Sequence, residues 1–239
     1  MSKKLFLSVV ASLVLSCALP TYADTVTALN AGPLPGTAQD LTGTNVTAIT
    51  GSITSGQDTY GGVDMFQITI TNFAAFSAIS IGGSFSIPDT ELFLFDSSGA
   101  AVYGNDDSGI SGLASTLACL PSAESNNPCL SSQPAGVGPT ADGTYYLAIT
   151  SSVNTPLGLD GNPIFATPGS STDVVGAAST NPITAWDGDL YTAPDFDTSN
   201  FDIELTGTSV VVAPEPASWA LLAGGLGVLL FWRKRLASQ

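Results

Sequence analysis

Between its two ends, no long stretch of this 239-residue chain places apolar side chains at helical spacing. Alternation with a period of two returns instead, between clusters of Gly, Pro, Asn and Asp. A strand turns successive side chains to opposite faces, so such a chain can build sheets with one face on a core and one in water. In Phe66-Gln67-Ile68-Thr69-Ile70-Thr71 the apolar side chains share one face, and Phe201-Asp202-Ile203-Glu204-Leu205-Thr206 repeats the pattern with carboxylates facing water. Residues 76–81 and 145–149 read as further strands, and Glu91-Leu92-Phe93-Leu94-Phe95 is apolar enough for burial on both faces. Asp96-Ser97-Ser98-Gly99 suits a type I turn, with Asp first and Gly last, joining a hairpin to Ala101-Val102-Tyr103. The expectation is all-β: roughly seven to nine short strands in a single jelly-roll-like β-sandwich spanning residues 24–213. Residues 24–57 read as weak strands. Residues 104–142 and 152–185 are long, polar and punctuated by Gly and Pro, which predicts binding loops or disorder.

Charge divides the chain in the same way. All five basic residues lie at the ends (Lys3, Lys4, Arg233, Lys234 and Arg235), whereas every acidic residue but Glu215 lies between Asp24 and Glu204. Lys3 and Lys4 precede an apolar run over residues 5–19, and Thr21-Tyr22-Ala23 offers small residues where signal peptidase reads, so residues 1–23 are expected to be a helical signal peptide and Asp24 the mature start. A lipoprotein reading through Cys17 meets a bulky Leu15 where lipoboxes carry a small residue. A middle without one cation cannot neutralise phosphates, which excludes nucleic acid and nucleotides as partners. Its carboxylates must stay solvated, share backbone donors or bind cations such as Ca²⁺. Histidine is absent, so His-based triads and His-ligated zinc sites are ruled out. Cys119 and Cys129 remain as an even pair in an oxidising compartment, and a disulfide closing that loop stabilises by about 2–3 kcal/mol in the chain-entropy model. Two free thiols are the alternative.

At the other end, Pro214-Glu215-Pro216 forces an extended, exposed backbone. Residues 217–232 are uncharged and apolar. As a helix they rise about 24 Å, a marginal span of a ~30 Å hydrocarbon core. Trp219 and Trp232 suit the two interfaces, and Arg233-Lys234-Arg235 keeps the tail cytoplasmic. A permanent single-span anchor is the plain reading. At residues 212–235 the chain also closely resembles the PEP-CTERM sorting domain, whose pattern is Pro-Glu-Pro, a hydrophobic span and a terminal basic cluster. The resemblance implies recognition of residues 214–239 by an exosortase of a Gram-negative bacterium. It further implies transient anchoring in the inner membrane and release to the cell surface or the extracellular polysaccharide matrix.

A second resemblance covers roughly residues 58–207. Asp89-Thr90-Glu91-Leu92-Phe93-Leu94-Phe95-Asp96, Gly99, Asn105-Asp106-Asp107 and Gly143-Thr144-Tyr145-Tyr146-Leu147 look like bacterial pre-peptidase C-terminal domains. These are β-sandwiches appended to secreted proteins, some of which bind Ca²⁺ or polymeric substrates. The Cys-containing insertion and residues 152–185 depart from a minimal version.

Asn105, Asp106 and Asp107, with Asp64 and Asp96 if the strands pair as supposed, offer oxygen ligands for Ca²⁺, which takes about six to eight. An Asx-rich turn is the alternative. Asp187, Asp189, Asp195 and Asp197 form a second acidic stretch beside Trp186 and Tyr191. An EF-hand starting at Asp195 fails, because its Gly and Glu positions hold Asn200 and Thr206. Trp186, Tyr191, Tyr145 and Tyr146 can stack on sugars if exposed, with core packing the alternative for the tyrosines at 145 and 146. Paired carboxylates can hydrolyse glycosides without histidine, yet no motif singles out a pair. The expected function is a non-enzymatic surface or matrix protein associated with exopolysaccharide. A Ca²⁺-dependent carbohydrate-binding module and a glycoside-active enzyme are the alternatives.

Overall fold

The computed structural model describes residues 24–29, 31–53, 62–81, 89–107, 118–124, 129, 133–188 and 199–208, all within one compact unit, Ala23–Val210. The expected signal segment, the sorting residues Pro214, Glu215, Pro216, Arg233, Lys234 and Arg235, and the acidic positions Asp189, Asp195 and Asp197 lie outside the described residues.

The described chain is all-β. In order, its strands are β1 (Asp24–Thr27), β2 (Gln39–Asp40), β3 (Val46–Ile53), β4 (Asp64–Ile70), β5 (Ser77–Ile81), β6 (Thr90–Asp96), β7 (Ala101–Asn105), β8 (Cys119–Leu120), β9 (Gly143–Ser151), β10 (Pro156–Leu157), β11 (Val175–Gly176), β12 (Ala185–Trp186) and β13 (Ser199–Thr206). Two sheets form a sandwich, one ordered β1-β3-β13-β5-β8 and the other β11-β7-β6-β9-β4-β2. The weak N-terminal strands find places at sheet edges, where β1 pairs parallel with β3 and β2 parallel with β4. Gln39 stitches those two edges together: its Nε2 donates to Thr27 O (3.2 Å) and its Oε1 accepts Leu29 N–H (2.6 Å).

Alternation explains the main core. Phe66, Ile68 and Ile70 of β4, Leu92 and Leu94 of β6, Leu147 and Ile149 of β9, Ile49 of β3, and Ile203 and Leu205 of β13 all bury against one another between the sheets. The Phe66 and Phe201 rings meet edge-on across the gap, with centroids 6.2 Å apart. Each such side chain contributes about 1.5–3 kcal/mol relative to its exposed form.

β6 is buried on both faces, as its composition predicts, and the structure shows what covers the second face. Phe93 and Phe95 point away from the main core into a smaller one with Met65, Ile164, Phe165, Ile183 and Trp186. Phe165 packs 4.9 Å from Phe93 and 5.5 Å from Phe95, centroid to centroid. Trp186 sits edge-on to Phe93, and its Nε1 donates to Pro33 O (2.7 Å). Residues 152–185 are therefore not disordered but form a third layer over the outer face of the six-stranded sheet. Of its apolar residues, Ile164, Phe165 and Ile183 join Phe93 and Phe95 in the smaller core, whereas Leu159 and Val153 stay exposed.

The β6–β7 hairpin has two unlike ends. Asp96 O accepts Gly99 N–H (2.9 Å) in the expected turn, where Gly99 takes a positive φ of 85° that suits glycine. At the far, open end, Thr90 pairs with Ser151 of β9 and Leu92 with Asn105 of β7. Both ends of the described chain leave near the turn end: Asp24 pairs with Val46, Thr208 donates to Val46 O (2.6 Å), and Gly207 O accepts Thr71 N–H (2.7 Å) just past β4.

Candidate metal centre

The open end of the hairpin gathers acids because of where three neighbouring strands stop. β6 begins at Thr90, which puts Asp89 just outside the sheet and Glu91 just inside it; β7 ends at Asn105, releasing Asp106 and Asp107 beside them. β9, the other neighbour of β6, ends at Ser151 and brings Ser152 and Val153 to the same place. Asp89, Asp106 and Asp107 are half-buried, and one carboxylate oxygen from each lies within 4.8 Å of the others. Oδ1 of Asp89 and Oδ1 of Asp106 are buried and have no hydrogen-bond partner. The sequence holds no Lys, Arg or His between Lys4 and Arg233, so no side-chain cation in the sandwich can answer them.

Burial and mutual repulsion both favour the protonated acids. Burial first, then Asp89 and Asp107, push the Asp106 carboxyl up to about 7, with the Ser152 hydroxyl pulling the other way. Asp89 is raised to about 6 by burial and then by Asp107, again opposed by Ser152. Glu91 reaches about 9, from burial and then Asp106, against a hydrogen bond from the Val153 backbone. Val153 holds a φ of 70°, a left-handed conformation that is costly for a β-branched residue and tends to persist at functional sites.

Three aspartates converging without nitrogen or sulfur donors make a hard, all-oxygen ligand set, the kind that suits Ca²⁺ or Mg²⁺ rather than zinc or copper. The two orphaned oxygens are what such a cation would satisfy.

Of the five expected ligands, only Asp106 and Asp107 belong to this group. Asn105 is 2% exposed and its amide is committed elsewhere, Oδ1 accepting Cys119 N–H (3.0 Å) and Nδ2 donating to Asp173 O (3.2 Å). Asp96 lies at the turn end, about 20 Å away along β6; its Oδ1 accepts Ser98 N–H (2.8 Å), Ser98 Oγ–H (2.6 Å) and Ala100 N–H (3.0 Å). Asp64 opens β4 opposite Ile149 and is separated from β6 by β9. Asp89 joins Asp106 and Asp107 in the converging group, and Glu91 and Ser152 lie beside it. Asp89 and Glu91 stood in the sequence run Asp89-Thr90-Glu91, whereas nothing local marks Ser152.

Beside the cluster, Glu91, Asn105, Asp106 and Asp173 share a cleft of ≈ 180 Å³ with Phe93 and Phe165. Asp187 lies on its margin: it accepts Thr155 N–H (3.0 Å) and its charge acts on Glu91. No aromatic platform for sugars is offered by the expected residues that are described. Trp186 and Tyr145 are buried and Tyr146 packs against the smaller core; Tyr191 lies outside the described residues. Cys119 and Cys129 lie at disulfide distance, with Cα atoms 5.8 Å apart. Compared with models of protein families and with curated proteins, the chain matches none.

Proposed function

We propose that this chain is an exported, non-enzymatic protein of the cell surface or extracellular matrix, whose jelly-roll-like sandwich holds Ca²⁺ at Asp89, Asp106 and Asp107. The convergence of three carboxylates, two with a buried and unanswered oxygen, carries this reading. Binding through the one converging oxygen that each offers, three side chains fill at most half of the coordination that Ca²⁺ takes, leaving positions for oxygens from outside. Hydroxyl or carboxylate oxygens of an exopolysaccharide fit those positions, so a sandwich whose sequence from Asp24 to Glu204 carries 19 acidic and no basic side chains can be bridged even to an anionic polymer. Export through the signal peptide, exosortase processing at Pro214-Glu215-Pro216 and release from the inner membrane complete the proposal. Intact mass of the secreted protein tests the sorting step: loss of both residues 1–23 and the Arg233-Lys234-Arg235 tail is expected, and a mass that retains Arg235 removes exosortase from the account.

One observation favours a second reading. Glu91 is an acid raised to about 9 in a cleft with Phe93, Phe165 and a second carboxyl, Asp106, an environment of the type that keeps a general acid protonated at neutral pH. Turnover of a polysaccharide that disappears in Glu91→Gln while Ca²⁺ binding persists would establish it; no turnover of any polysaccharide tested leaves the binding function.

A further inference from the structure

β8 is only two residues long, yet the segment that contains it grips both strands that carry the acids, each at the residue adjoining them. Ala118 N–H donates to Oγ1 of Thr90 (3.4 Å), which stands between Asp89 and Glu91. Cys119 N–H donates to Oδ1 of Asn105 (3.0 Å), which stands immediately before Asp106. Two residues further on, Pro121 O accepts the Tyr103 hydroxyl (3.4 Å) from the middle of β7. Residues 118–120 are fully buried, and Cys119 is tied to Cys129. On its other side the Asn105 amide reaches Asp173 O (3.2 Å), and Asp107 N–H donates to Ser171 O (2.9 Å). Asn105 therefore spans the space between the cystine-bearing segment and residues 171–173, with two of the three clustered acids, Asp106 and Asp107, following it directly in the chain.

Like charges with no internal cation splay unless the backbone around them is fixed. The fixing groups here are local and few. We propose that Asn105 is a positioning residue, through which the disulfide-held segment 118–120 keeps Asp89, Asp106 and Asp107 in the arrangement that accepts a divalent cation. This rests on the cation site proposed above. Partners that orient metal ligands set affinity through the fraction of molecules already arranged to bind, and their removal typically costs about 10–100-fold. The coupling is reciprocal: a cation that prefers the held arrangement must in turn stabilise the segment that holds it.

Calcium titration of the full-length chain tests this in wild type, Asn105→Asp and Cys129→Ala, with far-UV circular dichroism on each. Asn105→Asp separates the two roles of that position, because a ligand would gain by acquiring charge whereas a positioning residue loses its donor to Asp173 O. The expected result is about 10-fold or more weaker binding in Asn105→Asp and in Cys129→Ala, with spectra like that of wild type. Tighter binding by Asn105→Asp, or binding by folded Cys129→Ala within about two-fold of wild type, overturns the proposal. Wild type that fails to bind calcium at millimolar concentration instead removes the cation reading, and this inference with it. A measurement that needs no variant is the rate at which a water-soluble phosphine reduces the disulfide. The phosphine supplies two electrons and becomes its oxide with oxygen from water, while the S–S bond opens to two thiols. Because Cys119 is buried, reduction requires local opening; calcium is expected to slow it several-fold, and an unchanged rate contradicts the coupling.

Discussion

The two ends of the β6–β7 hairpin carry the same residue type and treat it in opposite ways. At the turn end, the Oδ1 of Asp96 collects three donors from its own loop, Ser98 N–H, Ser98 Oγ–H and Ala100 N–H. At the open end, Asp89 and Asp106 each keep a buried oxygen with no donor at all. Asp40 and Asp160 follow the turn-end rule: hydrogen bonds from Thr42 and Asn162 hold their carboxyls below the ordinary aspartate range. In a sandwich with no Lys, Arg or His between Lys4 and Arg233, a carboxylate has only local donors, water or an imported cation. Where the chain supplies a tight Asx-type turn the first suffices. Where three strands simply stop side by side, it does not.

The largest expected effect is at the open end. Replacing both Asp106 and Asp107 by Asn is expected to lower calcium affinity about 100-fold or more, about 2.7 kcal/mol, in a calorimetric titration. In chelator, the same variant should melt at or above wild type because repulsion is relieved; a lower melting temperature there would show these acids to be structural, like Asp96. Next in size, Asp96→Ala removes a turn cap and is expected to cost about 1–2 kcal/mol by denaturant unfolding, with the calcium response intact. A lost calcium response in that variant breaks the distinction between the ends.

The pH dependence of the chelated protein sharpens the same contrast. The folded-state carboxyls of Asp89, Asp106 and Glu91 lie at about 6, 7 and 9, above their unfolded values. The folded state thus binds more protons in this window, and its stability must fall as pH rises. Their contribution is fully present below the ordinary carboxyl range and is lost as pH climbs through those three values. Melting temperature in chelator is expected to drop from pH 5 to pH 9, and a profile flat over that window contradicts the assignment. The smallest effect is expected for Asp64→Asn, which should leave calcium affinity within about two-fold of wild type, since Asp64 is not among the converging acids; a larger loss would extend the site across β9.

Much of the scaffold was legible in alternation. The strands around Phe66 and Phe201 follow from side chains that change faces at each step, the double burial of β6 from its continuous apolar run, and the turn at Asp96 from Asp and Gly at its two ends. What covers the outer face of β6 was not legible, because the covering layer is mostly polar and docks through a handful of residues such as Phe165 and Trp186. The site was half legible. Asp106 and Asp107 announce themselves as an acidic run, but grouping Asp96 with them confuses nearness along a hairpin with nearness in space; the two ends of β6 are as far apart as the strand is long. Asn105 looks like a ligand until β8, two residues that no pattern marks, arrives from elsewhere in the chain to occupy its carbonyl.

The central claim is that the open end of the hairpin is completed by a cation from outside. Differential scanning calorimetry of the full-length chain at neutral pH, in millimolar calcium and in chelator, tests it most directly, because a ligand selective for the folded state must raise its stability. At calcium about 100-fold above the dissociation constant, a rise in melting temperature of roughly 5–10 °C is predicted. Superimposable melting curves in calcium and in chelator would contradict the account.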